Sequence, residues 1–231
     1  MKKGRNMINT AVILPAYNEE KKLPGILQHL KKTFKTIVVV DDGSTDRTKA
    51  VAEAESVVVL SRGYNLGVGA STRDGLRWAL ENGFDAALLI DADGQHDPSE
   101  AQRFIERYEA KREPLIIGAR DYKKIPLRRR IPNTFSRVVL SAIAGEYLED
   151  NQCGYRLLDR RMIEAFLETN EAGYNFAIEM IIVCRERGWE IGWVPISTIY
   201  HDEKSKQTAW YQITGFTKMS ILAFRRLRLS K

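Results

Sequence analysis

Short apolar runs rich in β-branched residues alternate with segments of helical period along most of this chain. Thr10-Ala11-Val12-Ile13-Leu14, Thr36-Ile37-Val38-Val39-Val40, the stretch from Val57 to Leu60, Ala86-Ala87-Leu88-Leu89-Ile90 and Leu115-Ile116-Ile117 read as buried strands. Between the first two, leucines at 23, 27 and 30 mark one face of a helix over 20–33, with Pro24 tolerated in its opening turns. Further helices are predicted from the end of the 61–69 loop to about Asn82, and from Pro98 to about Arg112. Strand and helix in alternation imply parallel β-α-β units with right-handed crossovers and a sheet covered on both faces.

The polar residues that interrupt this pattern are concentrated where strands end. Asp91-Ala92-Asp93-Gly94-Gln95 follows the fourth run directly, so two carboxylates emerge at a strand's carboxyl end, the edge at which open α/β sheets form their ligand crevice. Side by side in a partly dry crevice they repel each other, and a divalent cation relieves that cost. The oxygen donors of Asp91, Asp93 and Gln95 favour magnesium or manganese over zinc, and a cation held there would in turn hold an anion such as a diphosphate. The plain alternative is a turn that attracts Asp for conformational reasons. A second acidic strand end, Asp41-Asp42-Gly43-Ser44-Thr45-Asp46, points to the same edge. Ser44 and Asp46 suit turn and capping roles, whereas Asp42 precedes the turn and is placed to accept hydrogen bonds from a nucleobase or ribose. The first run exits into Pro15-Ala16-Tyr17-Asn18-Glu19-Glu20, adding an aromatic face and a carboxylate. Gly63 to Gly69 lacks the G-x-G-x-x-G spacing of dinucleotide folds and reads either as a tight strand-to-helix turn or as a backbone loop touching the donor.

The order P-A-Y-N-E, V-D-D-G-S-T-D, R-G-Y-N-L-G-V-G-A and D-A-D-G-Q-H-D-P resembles family 2 glycosyltransferases of the GT-A fold. Gly118 to Arg120 and D-N-Q-C-G-Y-R at 150–156 narrow the resemblance to the branch of dolichyl- and polyprenyl-phosphate sugar synthases, over about residues 9–206. It implies a GT-A, Rossmann-like, mostly parallel α/β sheet covered by helices. It also implies that Pro15, Tyr17, Glu19, Val40 and Asp42 hold the nucleoside, and that Asp91, Ala92, Asp93 and Gln95 bind the metal and the donor diphosphate. Arg120, Arg156 and Lys206 would then contact phosphates, with Asp93, Arg120 and Arg156 as the catalytic set. The segment Tyr200 to Lys206 departs from the family pattern, lacking the Arg and Gly that often precede its final Ser-Lys; His201 there reads as a phosphate partner or as an incidental loop residue.

With 231 residues, 44% hydrophobic and 29% charged, the chain can bury one substantial core. Its two cysteines give no metal-ligand spacing and no disulfide framework, so a reducing cytoplasmic setting is expected. Cys184 lies in an apolar helical run and reads as core, and Cys153 as a small residue within its motif. No stretch of the roughly 20 apolar residues that span a bilayer is present, and the basic start lacks the apolar segment of a signal peptide.

Charge adds a question about partners. The net charge is +6. Six basic residues and no acid lie between Asp121 and Glu146, and five with no acid in 207–231. On a helical wheel Ile213, Phe216, Met219, Ala223 and Leu227 share a face, with Lys218, Arg225 and Arg226 opposite. This predicts a C-terminal amphipathic helix, 207–231, beyond a transferase domain of 1–206, lying either on an anionic membrane or against the domain or a second subunit. The chain is therefore expected to be an inverting glycosyltransferase, peripheral on the inner face of the membrane. It would move a sugar from a nucleotide-diphosphate sugar donor to a polyprenyl-phosphate acceptor, with Mg2+ or Mn2+ as cofactor. A phosphate acceptor is already an anion and needs no base. The alternative acceptor is a sugar hydroxyl, for which Asp150 and Glu179 are the reserve bases; their structural readings are a turn residue and a helix partner. A nucleotidyltransferase would call for a glycine-rich, Arg-containing first loop. A basic nucleic-acid binder is disfavoured because acids crowd the strand ends.

Overall fold

The five predicted runs form strands, and two more strands join them in one sheet. The strands are β1 (Thr10–Ala16), β2 (Thr36–Asp41), β3 (Val58–Ser61), β4 (Ala86–Leu89), β5 (Leu115–Arg120), β6 (Arg156–Asp159) and β7 (Ile191–Ile196), in the order β3-β2-β1-β4-β6-β5-β7. This computed structural model describes residues 8–123, 125, 127–169, 175–199 and 209–229. β1 pairs in parallel with β2 and β4, β2 with β3, and β5 with β7, while β6 runs antiparallel between β4 and β5. The helices are α1 (Leu23–Leu30), α2 (Thr48–Ala54), α3 (Val68–Glu81), α4 (Ala101–Lys111), α5 (Leu127–Ala144), α6 (Arg160–Leu167), α7 (Phe176–Glu186) and α8 (Ala209–Phe224), the last continuing into a π turn over Arg225–Leu229.

The reversed strand has a topological cause. After β5 the chain builds α5 and a loop on the carboxyl-end side of the sheet, so it re-enters the sheet from that edge and must run back. Arg156, the first residue of β6, is thereby registered against Leu89, two residues before Asp91. Both faces of the sheet are covered, and the central strands are fully buried. α3 crosses β1 so closely that a Cβ on Gly75 would lie 2.3 Å from Ile13 Cγ2, so only glycine permits this approach. In α7 nine consecutive residues, Phe176 to Cys184, are buried, the pattern of a helix enclosed on all sides, and Cys184 is a core residue as its run suggests.

The C-terminal helix docks on the domain. Met219, Ala223 and Leu227 of the predicted apolar face join the main core and Phe216 packs at its margin, while the side chain of Ile213 lies outside the described residues. Arg226 pairs with Glu186 of α7, and Arg228 donates to the carbonyls of Ala142 and Ile143 at the end of α5. Lys218 and Arg225 are exposed as the wheel predicts, whereas Arg226 is drawn into its ion pair.

Candidate active site

The exits of β1, β2 and β4 meet at one edge, as their parallel register requires. Ala16 is paired with Asp41, and the Asp42 amide donates to the Ala16 carbonyl at 2.9 Å. The two loops that follow are laced together: Ser44 Oγ accepts from the Asn18 amide, Asn18 Oδ1 from the Thr45 amide, Asp46 from the amides of Glu20 and Thr48, and Thr48 Oγ1 from the Glu19 amide. Ser44 and Asp46 thus take turn roles, Asp46 accepting from the Thr48 amide at the start of α2, while the helix's cap position falls to Arg47 without a side-chain capping bond. The lacing presents Tyr17, 37% exposed, at the crevice mouth, with Glu19 largely buried behind it.

Asp42 is nearly enclosed, and its carboxylate accepts from Arg62 Nη1 (3.2 Å) and the amides of Leu66 (3.0 Å) and Gly67 (2.8 Å). It therefore holds the 62–67 loop, which packs so tightly on Gly43 that a Cβ there would stand 2.5 Å from the Tyr64 backbone. Gly43 also has φ +71°. Val40 points away from the crevice, since its Cγ2 lies against α3 at Gly75. Pro15 is half-buried beside it, on β1.

Asp91 and Asp93 differ in state. Asp91 Oδ2 is 3.1 Å from His96 Nε2. Enclosure pushes its carboxyl up, but His96, Arg120 and Arg156 together outweigh this and hold it below the usual range. Asp93 is raised, first by enclosure and then by the Asp91 charge, with Glu19 adding to the repulsion. Its Oδ1 accepts from the Gln95 amide at 2.9 Å, and Ala92 between the two acids is buried. Against the Asp91 carboxylate lies Gly154, where a Cβ would stand 2.3 Å from Oδ2 and 2.6 Å from Oδ1. Among the described residues no three His, Cys, Asp or Glu side chains are grouped to hold a metal by themselves. Two hard carboxylates, one of them unfavourably charged, instead suit a cation that takes further oxygen ligands from a bound diphosphate.

The arginines are committed to the protein. Arg120 forms a two-pronged pair with Asp150, Nε to Oδ2 at 2.6 Å and Nη2 to Oδ1 at 2.9 Å, with no partner for Nη1 among the described residues. Burial works against ionisation of both partners, yet the pairing wins: Asp150 is held below, and Arg120 above, its ordinary range. Asp150 also accepts from the amides of Gln152 and Cys153, the turn role foreseen for it. Arg156 has a different setting from the phosphate contact implied by family resemblance. It is fully buried and donates to the carbonyls of Cys153 (2.7 Å), Ala177 (2.5 Å) and Asn151 (3.3 Å). Burial lowers its pKa to about 10, so it stays cationic at neutral pH and braces the 151–153 loop beneath Asp91. Glu179 pairs with Arg73 of α3 at 3.0 Å in the interior, a partner on another helix and not an i,i+4 neighbour. Lys206 and His201 lie outside the described residues.

Two residues near the acids carried no assignment from the sequence. His96 is 5% exposed and packs on the Tyr155 ring at 5.2 Å between centroids; Tyr155 in turn stacks on Phe104 at 4.4 Å. The 95–100 segment is clasped to the stretch after β7 by a bridge between His96 and Thr198, the Ile199 amide on the Gln95 carbonyl, and the Ser197 amide on Glu100. The signal for His96 was its place in D-A-D-G-Q-H-D-P, five residues after Asp91.

A mixed sheet with acidic strand ends at one edge, and with Asp91 seated over a glycine, is the arrangement of a GT-A fold. Residues 11–167 match the family model described as glycosyl transferase family 2, and the chain belongs to that family. Among similar proteins are the UDP-N-acetylglucosamine--dolichyl-phosphate N-acetylglucosaminyltransferase of Methanococcus voltae, 31% identical over 82% of this chain and 85% of its own length, and the polyprenol monophosphomannose synthase of Mycolicibacterium smegmatis, 32% identical over 81% and 76%. The fold is similar to that of glucosyl-3-phosphoglycerate synthase from Mycobacterium tuberculosis, solved with Mn2+, UDP-glucose and phosphoglyceric acid. That likeness has a TM-score of 0.75 at 18% identity, over 95% of this chain and 80% of that one.

Proposed function

We propose that this chain transfers a sugar from a nucleotide-diphosphate sugar to a polyprenyl phosphate, with inversion, on a membrane surface. What favours a phosphate acceptor over a hydroxyl is the state of two carboxylates. A hydroxyl needs a base beside it, but Asp150 is tied to Arg120 and Glu179 to Arg73, both in buried ion pairs. A phosphate monoester is already anionic and needs only to be held in line. The names of the two relatives above point the same way.

In this reading Tyr17 and Glu19 face the nucleoside, Asp42 braces the 62–67 loop beside it, and Asp91, Asp93 and Gln95 face the diphosphate through Mg2+ or Mn2+. When bound, that cation neutralises the charge on the departing diphosphate. The chain itself supplies position and field. The lacing of the 18–20 and 44–48 loops fixes the nucleoside wall, Gly154 leaves room for the Asp91 carboxylate, and Arg120 adds positive charge held in place by Asp150.

Membrane placement draws on a surface different from the wheel's apolar face. Ile131, Phe135 and Val138 form an exposed stripe on α5, and Ile221 and Phe224 are half-exposed on α8. The two helices meet where Phe135 and Phe216 pack edge to face at 6.0 Å. The exposed Lys218 and Arg225 nearby suit an anionic headgroup layer. No helix among the described residues is long and apolar enough to cross a membrane.

The test is transfer of radiolabelled sugar into lipid extract across several nucleotide sugars, run beside sedimentation with anionic liposomes. The reading expects one donor to label a polyprenyl-phosphate fraction, and salt to release the protein from liposomes. Labelling of soluble glycan alone, with no liposome binding, refutes it.

A further inference from the structure

The His96 imidazole is in hydrogen-bond contact with Asp91, and its two nitrogens have different surroundings. Nε2 lies 3.1 Å from Asp91 Oδ2, and a carboxylate oxygen accepts, so the bond runs from His96 Nε2–H to Asp91 Oδ2. Among the described residues Nδ1 is buried and without a partner. So are the hydroxyls of Thr198, to which His96 is bridged, and of Tyr155, against which it packs. An imidazole with Nε2 protonated needs a donor at Nδ1, and these neighbouring hydroxyls, themselves unpartnered, can supply it through one water.

We propose that His96 is a positioning residue of the donor site: it pins Oδ2 of Asp91 through Nε2–H, while a water held by the hydroxyls of Thr198 and Tyr155 serves Nδ1 and fixes the tautomer. Asp91 is then held between the imidazole on one side and Gly154 on the other, with Oδ1 left to a ligand. Thr198 belongs to the stretch after β7, so the clasp between 95–100 and 197–199 carries the far side of the sheet into the placement of Asp91. The inference rests on the metal role proposed above for Asp91 and Asp93. It is the arrangement by which partners of a ligating group orient it, and loss of such a partner typically weakens metal binding about 10- to 100-fold.

Two measurements on the full chain test it. Nitrogen-15 spectra of labelled histidine, with the His96 signals assigned by their loss in His96→Gln, should show Nε2 protonated and Nδ1 as a hydrogen-bond acceptor; a protonated Nδ1 overturns the proposal whatever metal does. Titration of Mn2+ by electron paramagnetic resonance, with a nucleoside diphosphate present, should show binding weakened about 10- to 100-fold in His96→Leu. His96→Gln, which retains a donor, should recover most of it, and Thr198→Val should shift the nitrogen-15 pattern. Bound Mn2+ unaffected by His96→Leu overturns the positioning role alone, while absence of Mn2+ binding in the unmodified chain refutes the metal role of the acidic pair as well. If His96→Leu and His96→Gln lose Mn2+ equally, in step with their melting transitions, His96 is only packing and the proposal fails.

Discussion

Gly154→Ala places a methyl group where the structure has no room for one. Its Cβ would stand 2.3 Å from Oδ2, 2.6 Å from Oδ1 and 2.7 Å from Cγ of Asp91. Ordinary contact begins near 3.4 Å, so the carboxylate or the 153–155 backbone must move by about 1 Å. Gly154 does not have a left-handed φ, so alanine brings no backbone strain of its own and the perturbation stays at Asp91. Asp91 could swing aside only by giving up its bond to His96. Overpacking of this kind costs about 1–3 kcal/mol of stability, a fall in Tm of several degrees for a chain of this size. Displacement of a reacting group by about 1 Å costs on the order of 100-fold in rate. Turnover of nucleotide sugar at saturating donor should therefore drop about 100-fold while the melting transition stays cooperative. An alanine variant with the unmodified rate and Mn2+ requirement would refute the assignment of Asp91 to the donor site, and a variant that is wholly unfolded would refute the placement of Gly154 as a local contact.

Other substitutions separate bracing from chemistry. Arg156→Ala strands the carbonyls of Asn151, Cys153 and Ala177 in the interior, so it should lose more than about 3 kcal/mol by denaturant titration; selective loss of acceptor kinetics in a stable variant would instead return Arg156 to the acceptor phosphate. Asp93→Asn should abolish most turnover yet raise stability at neutral pH without metal, by about 0.5–2 kcal/mol. The carboxyl is raised by enclosure and the Asp91 charge, so its ionised form opposes folding, and the gain should vanish at acid pH where Asp93 is protonated in the native chain. A chain ending at Lys206 should melt well below the full chain, because Met219, Ala223 and Leu227 leave the core with the tail; an unchanged transition would contradict the docking of α8. Phe135→Asp with Val138→Asp should keep the melting temperature within a few degrees and lose liposome sedimentation.

The strands legible in the sequence were those whose apolar runs are long enough to be unambiguous, and with them came the edge where Asp42, Asp91 and Asp93 gather. β6 escaped because four residues, two of them charged, carry no period, and its reversed direction depends on where α5 leaves the chain. Arg156 misled for a related reason. A lone arginine in sequence reads as a surface donor, and only the packing of β6 against β4 and α7 reveals a guanidinium enclosed by carbonyls. The apolar face of the tail was read correctly as a face, but amphipathicity does not say what covers it, and here α5, α7 and the core do. Asp150 and Glu179 could be ranked as bases or structural partners only once Arg120 and Arg73 were seen beside them.

The central claim is that a phosphate, not a hydroxyl, receives the sugar. The most direct measurement offers the purified chain a short polyprenyl phosphate and the matching polyprenol in parallel, each with nucleotide sugar, with Mg2+ or Mn2+ and again with a chelator. The account predicts product from the polyprenyl phosphate with metal, little with chelator, and none from the polyprenol. Sugar transferred to the polyprenol or to a glycan hydroxyl, with none on the phosphate, would contradict it.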